Sequence, residues 1–375
     1  MIYFDNAATT PVNKEVAALF VKLLNDYGNP DSLHQLGRKT NDLLSKSRSH
    51  IARMLACSPE EIIFTSCASE SNSMAIVGYA LANQKRGKRI ITSNSEHSSS
   101  QAAMNYLESL GFEIIRLPIH RDGTVHPEDV KAAMSKDTLL VSLIHVSNET
   151  GAITDLKSIA DVVHQHPTAV FHADCTQSFG KVDIPFTDLD LMTMSAHKIH
   201  GVKGSALLRK KKNLVLQPLI FGGQQEQGLR GGTENAPVHI ALAKTIRLAL
   251  ENQDQNMKQI QAVHDHLVNR LAEVPDARIL SPKAACPAIL SLSFDSMTSQ
   301  VLQNALDEKG ICVSAISTCE SSHVGVNPVL INMGCTPKEA SHNIRLSFSE
   351  NNTIAEADQF IETIKEILQN YALPL

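Results

Sequence analysis

The chain has 375 residues, enough for two or three domains and a large buried core. Its formal net charge is -5 with 19% charged residues, and lysines and arginines are scattered, so the basic face that nucleic-acid binding requires is absent. No stretch approaches 18 apolar residues, which excludes a membrane-spanning helix, and the opening MIYFDNAATTP lacks the basic and apolar regions of a signal peptide.

From about residue 60, β-rich runs alternate with helix-like segments. Strands are expected at 61–65, 89–93, 112–117, 139–146, 169–173, 189–195 and 205–209. Helices are expected at Ser69–Leu81, Ser98–Leu110, Pro127–Met134 and Leu156–His164. This alternation predicts an α/β unit with a mainly parallel sheet, helices on both faces and ligands beyond the carboxyl ends of the strands. The run Arg209–Lys210–Lys211–Lys212 reads as a solvated turn after the last of these strands. After residue 240 the texture changes. Ala241–Ala272 reads as long helical sequence, followed by strands at 288–294, 310–315 and 343–349 and helices at 299–309, 337–342 and Ile354–Tyr371. The expectation is a large domain over 15–255 and a smaller α+β domain formed by 1–14 and 256–375, the first residues packing on the second domain.

Several segments carry groups suited to chemistry. In S-A-H-K-I-H-G (195–201) Lys198 follows a strand, where an amine can form an imine with an aldehyde if its pKa is lowered. Ser195 and His197 flank it and can donate to a phosphate; a solvated surface lysine is the plain alternative. In H-A-D-C-T-Q-S (172–178) Asp174 ends a strand, where a carboxylate can hold a proton on a pyridine nitrogen, and Gln177 can donate to a ring oxygen. Helix capping by Asp174 is the alternative. T-S-C-A-S-E-S-N-S (65–73) leads a strand into a helix, where free amides, the small Ala68 and the Ser69 hydroxyl suit an anion or a simple N-cap. His97 and Asn148 also stand at strand ends, and Arg345 is a charge inside an apolar strand pattern that requires an anionic partner. That partner is a substrate carboxylate or a structural salt bridge.

The seven cysteines, Cys57, Cys67, Cys175, Cys286, Cys312, Cys319 and Cys335, contain no CxxC pair. Zinc-site spacing and a disulfide framework are therefore not expected, no metal site is expected, and the reducing cytoplasm is the expected compartment. Cys319 lies in a small polar segment between a strand and Pro328, where a thiol can move or can be an inert surface group.

Taken in order, the motifs resemble the cysteine desulfurases of class V aminotransferases, which are fold type I pyridoxal-phosphate enzymes. The resemblance runs nearly end to end: 3–11, 28–38, 62–72, 95–97, 145–151, 174–181, 195–201, 222–235 and 343–349. It implies pyridoxal 5'-phosphate as cofactor, L-cysteine as substrate, a protein sulfur acceptor, and neither a nucleic-acid nor a membrane partner. It implies that Lys198 forms the Schiff base, that Asp174 and Gln177 contact the ring, and that His97 stacks on it and transfers protons. Ala68, Ser69, Ser195 and His197 hold the phosphate, and Thr233 reaches the neighbouring subunit's phosphate, so a homodimer with shared sites is implied. Asn148 contacts the cofactor and, with Arg345, the substrate carboxylate, and Cys319 is the catalytic cysteine that carries a persulfide. The chain departs from the usual family pattern at Ile316 and Thr318 beside Cys319, at Cys67 where glycine is usual, and at Cys175 after Asp174. A selenocysteine or cystine lyase, an aminotransferase, and a pyridoxal-phosphate-binding partner protein of weak activity are the competing readings.

Overall fold

The computed structural model describes residues 1–315 and 326–371. In chain order its strands are β1 Ile2–Tyr3, β2 Ile62–Thr65, β3 Arg89–Ser93, β4 Glu113–Leu117, β5 Thr138–Ile144, β6 Val170–Asp174, β7 Leu191–Ser195, β8 Ala206–Lys210, β9 Ala277–Ile279, β10 Ile289–Phe294, β11 Ile311–Cys312, β12 Ser314–Ala315 and β13 Asn343–Ser347.

Strands β2 to β8 form one sheet in the order β2-β8-β7-β6-β5-β3-β4. Five neighbours, β7, β6, β5, β3 and β4, run parallel; β8 is antiparallel to both β7 and β2. The sheet is apolar on both faces, as strands covered by helices on each side must be. On one face Ile62, Phe64, Ile91, Val141, Leu143, Phe171 and Leu207 meet Leu44, Ile51, Leu156, Ile159, Leu242 and Ile246 from helices. On the other, Ile63, Ile90, Leu140, Val170 and Leu208 meet Met74, Tyr79, Met104 and Leu107. Adjacent strand residues feed opposite cores because the side-chain period of a strand is two.

A second sheet, β12-β13-β10-β9, is antiparallel, and its core includes Leu290, Leu292, Phe294, Ile344, Leu346, Phe360 and Ile364. The N-terminus belongs here: β1 pairs in parallel with β11, and Phe4 packs edge-on against Phe348 and Phe360. From Ala7, still part of this core, the chain runs on to the loop after β7, where the Thr10 amide donates to the His197 carbonyl at 2.8 Å.

Four of the differences between the expected elements and the structure bear on packing. Two helices, Lys14–Leu23 and Gln35–Met54, precede the first expected strand. The long helical run is two helices, Ala236–Glu251 and Gln253–Arg270, because Asn252 leaves helical geometry at φ -105°, ψ 6°. The helix after β2 spans 68–83 but carries a π-helical turn at Met74–Gly78; there the Gly78 carbonyl accepts from the Gln217 amide at 2.9 Å. The basic run is only half solvated. Arg209 and Lys210 are buried at the end of β8, with Arg209 Nη1 donating to the Phe186 and Leu189 carbonyls and Lys210 Nζ to Leu214 at 2.9 Å. Chain carbonyls and Glu61 satisfy most of the donors of these buried cations, and Arg209 Nε alone is left without a partner.

Phe4 is fully buried and joins the N-terminal segment to the second core. Phe4→Ala should destabilise the fold by about 3–5 kcal/mol in urea titrations. A loss below about 1 kcal/mol would mean the N-terminus is not held by this packing.

Candidate active site

Two neighbouring parallel strands bring the central groups together. Asp174 ends β6 and Ser195 ends β7, with Asp174 paired in register with Thr193. After Ser195 a single 3-10 turn, Ala196–Lys198, points the chain back over the strand ends. Lys198 Nζ donates to the carbonyls of Ala7 at 2.6 Å and Ala8 at 2.8 Å. Its hydrogen bonds are thus to neutral acceptors. Burial, followed by the nearby Arg345 and Lys181 cations, pulls the amine down to about 8. A cavity opens beside it, lined in part by Thr10, Lys181, His200, Ser349 and Glu350. His197 places its ring Nδ1 at 3.2 Å from Thr9 Oγ1, and burial, then Lys198, hold that imidazole down to about 4, hence neutral.

The Asp174 carboxylate is buried and oriented from two sides. Asn72 Nδ2 donates to Oδ2 at 2.8 Å and the Thr176 amide to Oδ1 at 2.9 Å. Asn72 Nδ2 also reaches Ser99 Oγ at 3.0 Å, and Ser99 Oγ sits 2.8 Å from His97 Nδ1. A polar chain therefore runs from Asp174 to His97, which caps the helix Ser98–Ser109 and is exposed. Gln177 Nε2 donates to the Ala7 carbonyl at 2.9 Å, the same oxygen that Lys198 uses. Behind this layer Glu96 is buried, accepts from Ser93 and the Ile144 amide, and is pushed up to about 8 by burial. It is a neutral acid at pH 7, which spares the site a second buried negative charge beside Asp174.

Ala68 and Ser69 open the helix after β2, Ser69 exposed and Ala68 half-buried. Cys67 precedes them with φ -162°, an extended backbone that any residue adopts, so replacing glycine there costs no strain. Glu70 ties this turn to the loop ahead of helix Ala236–Glu251. It accepts from the Ser66 amide and from Arg230 Nε, both at 2.9 Å. Thr233 is exposed in that loop, and among the described residues no side-chain hydrogen bond joins it to the lysine cluster.

Arg345 lies in β13 and reaches the same region from the second sheet. It donates to the Asn148 carbonyl at 2.8 Å and Ser314 Oγ at 2.9 Å, and pairs with Asp5 at 3.4 Å and Glu149 at 3.6 Å. Asn148 itself donates to Glu149 at 2.7 Å. Cys319, with Ile316 and Thr318, lies outside the described residues. Of the two other cysteines near the site, Cys67 is exposed, whereas Cys175 is buried and its thiol is pushed up by desolvation.

The structure thus brings Lys198, Asp174, Gln177, Ser195, His197 and His97 together, with Arg345 and Asn148 on the side of the second sheet. Sequence reasoning missed Asn72, Ser99, Glu96, Asp5 and the Ala7 carbonyl. Asn72 and Asp5 stand inside quoted motifs, but nothing in one sequence assigns them partners. The polar groups, donors at Ser195 Oγ and Arg345 Nε among them, fit pyridoxal 5'-phosphate. Ser195 Oγ, Gln177 Oε1 and Arg345 Nε are buried without hydrogen-bond partners, an arrangement that normally awaits a ligand or water.

The aminotransferase class-V family model matches residues 2–360. A NifS/IcsS protein homologue of Lactobacillus delbrueckii subsp. bulgaricus is 40% identical over 99% of this chain and 98% of its own length. A cysteine desulfurase IscS of Dictyoglomus turgidum is 34% identical over 98% of this chain and 94% of its own. The solved structure of a NifS-like protein superposes with a TM-score of 0.92 at 34% identity, covering 98% of this chain and 99% of that one.

The depressed amine makes a pH prediction. In cofactor-free protein, reductive alkylation of Lys198 by a small aldehyde should rise with pH and reach half its maximal rate near 8. An ordinary lysine would reach it near pH ~10.4. Arg345→Ala should move the midpoint upward, since that cation favours the neutral amine. Peptide mapping by mass spectrometry reads the rate, and a midpoint above 10 in the unaltered chain would contradict the geometry.

Proposed function

The chain belongs to the aminotransferase class-V family, and from that premise we propose a cysteine desulfurase that uses pyridoxal 5'-phosphate and converts L-cysteine to L-alanine. The sulfur passes as a persulfide on Cys319 to a protein acceptor in iron–sulfur cluster assembly or in thiolation of tRNA or a cofactor. The observation that carries the reading is the desolvated Lys198 amine at the end of β7, next to Asp174 at the end of β6.

When bound, the cofactor supplies an aldehyde that joins amines and a ring that accepts electrons from the substrate carbon. The chain's residues do the rest. Lys198 Nζ is partly neutral near pH 8 and therefore nucleophilic. Asp174, fixed by Asn72 and the Thr176 amide, holds a proton on the ring nitrogen. Gln177 would contact the ring oxygen. Ser195 Oγ, His197, Ser69 and the backbone at Ala68 would hold the phosphate, and Thr233 would serve the phosphate of a partner subunit in a homodimer. His97 would stack on the ring and move protons at its imidazole, steadied by Ser99.

Arg345 and Asn148 orient the substrate carboxylate, Arg345 through donors that include the unpartnered Nε. The Cys319 thiolate attacks the substrate sulfur; the carbon–sulfur bond breaks, its electron pair stays with carbon, and a new sulfur–sulfur bond remains on the enzyme. We take residues 15–255 as the large domain and 1–14 with 256–375 as the small one, a reading that the separate seven-stranded and four-stranded sheets support. No helix among the described residues is long and apolar enough to cross a membrane. The free thiols of the six described cysteines fit the cytoplasm as compartment.

Alanine and sulfide release from cysteine, with a reductant present, tests the assignment. Cys319→Ser should keep the cofactor and lose nearly all sulfide release, whereas Cys67→Ser and Cys175→Ser retain most of it. Sulfide release that survives in Cys319→Ser but fails in Cys67→Ser would place the reactive thiol elsewhere. Loss in none of the three would favour a lyase or an aminotransferase. Arg345→Ala should raise KM for cysteine by about 10–100-fold, the equivalent of one or two charged hydrogen bonds. An unchanged KM would make Arg345 a purely structural partner of Asp5 and Glu149.

A further inference from the structure

Away from the lysine site, one group of three metal-competent side chains stands together among the described residues: His120, His126 and Asp129, whose donor atoms all lie within 4.8 Å of one another. They come from one stretch, H-R-D-G-T-V-H-P-E-D (120–129), which runs from the loop after edge strand β4 into the first turn of the helix Pro127–Ala133. We propose that this cluster binds a divalent cation of the zinc class through His120, His126 and Asp129, with water completing the shell and Asp122 orienting His126.

The donor chemistry is selective. Two imidazoles and one carboxylate form the nitrogen-rich, open set that zinc takes with a fourth position left to water, and that calcium and magnesium do not prefer. His120 is exposed and His126 and Asp129 are half-buried, so solvent can reach the remaining position. The fourth polar group is in place too. Asp122 Oδ2 lies 2.9 Å from His126 Nε2, which lets the carboxylate fix the ring while its other nitrogen turns to a metal.

The backbone under these side chains is held in advance. The His120 amide donates to the Thr124 carbonyl, and the Gly123 amide to the His120 carbonyl, both at 2.9 Å. Gly123 has φ 77°, and a Cβ there would lie 2.7 Å from that of Ala152, so only glycine fits the turn. Ile119, Val125 and Val130 anchor the stretch in the core. Asp129 Oδ2 accepts from the His126 amide at 3.0 Å, fixing the start of the helix, and lies 2.7 Å from His120 Nε2. The two imidazole rings stack with centroids 3.9 Å apart and 12° between planes. The proposed site would close by rotation of the exposed His120 ring toward the other two donors. The site is four strands from β7 in the sheet order, so it is separate from the lysine chemistry and clasps the β4-to-helix turn.

The test uses the holoenzyme stripped with a chelator and titrated with Co²⁺, then Zn²⁺. The expected result is one equivalent bound, displaceable by Zn²⁺, with a d–d spectrum that lacks thiolate-to-cobalt charge-transfer absorption. That signature separates the cluster from the chain's cysteines. His120→Ala and His126→Ala should each lose the equivalent while keeping sulfide release and metal-free melting temperature, and His120→Gln serves if the alanine variant folds poorly. Asp122→Asn should bind about 10–100-fold more weakly. Absence of stoichiometric binding, binding unchanged in both histidine variants, or a thiolate band would overturn the site and leave only two His–Asp hydrogen bonds. The result is independent of the desulfurase assay.

Discussion

One carbonyl oxygen, that of Ala7, accepts from both Lys198 and Gln177, and the site is built around it. The carbonyl belongs to residues 5–10, which run from the second core to the strand ends of the first sheet. Asp5 in the same segment pairs with Arg345, Thr9 meets His197, and Thr10 bonds the His197 carbonyl. The segment is held at its start by β1 and Phe4 and beyond them by Ser347, whose Oγ accepts from the Ala7 amide at 2.8 Å. A buried ammonium requires acceptors. Here they are neutral carbonyls rather than a carboxylate, so the amine is satisfied in geometry yet easily deprotonated. Nucleophilic lysine and domain packing are in this sense one constraint.

The charges around that lysine form a graded set. The Asp174 carboxylate accepts from Asn72 and the Thr176 amide, while Glu96, which accepts from Ser93 and the Ile144 amide, is pushed up to about 8 by burial. Burial also holds His172 neutral, at about 4, between Ser142 and Thr193. Around the lysine lie Asp174 at the end of β6, Arg345 paired with Asp5 and Glu149, and the buried Lys181, whose amine burial pulls down. This arrangement suits a cationic ring nitrogen and an anionic carboxylate or phosphate without stacking like charges.

Much of this was legible in the sequence. Strand β3 and the helix Ile354–Tyr371 fall at the expected bounds, and most other expected elements are off by a residue or two at their ends, the long helical run excepted, which begins at Ala236 rather than Ala241. Apolar runs of strand length carry a strong period, and each breaks sharply into Gly-, Ser- and His-containing loops. The same breaks marked Asp174, Lys198, His97 and Asn148 as groups at strand ends, where α/β sheets bind ligands. Arg345 was legible because a charge inside an apolar strand must find a partner. The helix Gln35–Met54 was missed because its polar sequence hides a narrow apolar stripe. The break at Asn252 was missed because asparagine inside a charged helical run leaves little trace.

Sequence alone determined the mainly parallel α/β sheet, the residues at its strand ends and the family that their order matches, because these depend on local period and on side-chain chemistry. Only the tertiary structure decided what those groups face. A backbone carbonyl such as that of Ala7 has no residue-type signature, and the partners of Asn72 are set by packing between elements far apart in the chain. The same holds for Arg209 and Lys210: four consecutive cations read as a surface turn, and only the placement of β8 between β2 and β7 shows that two of them are buried against carbonyls. His120, His126 and Asp129 are close in sequence, yet their spacing matches no common metal motif. It took the fold of the turn, with Gly123 at its tightest point, to bring their donor atoms together.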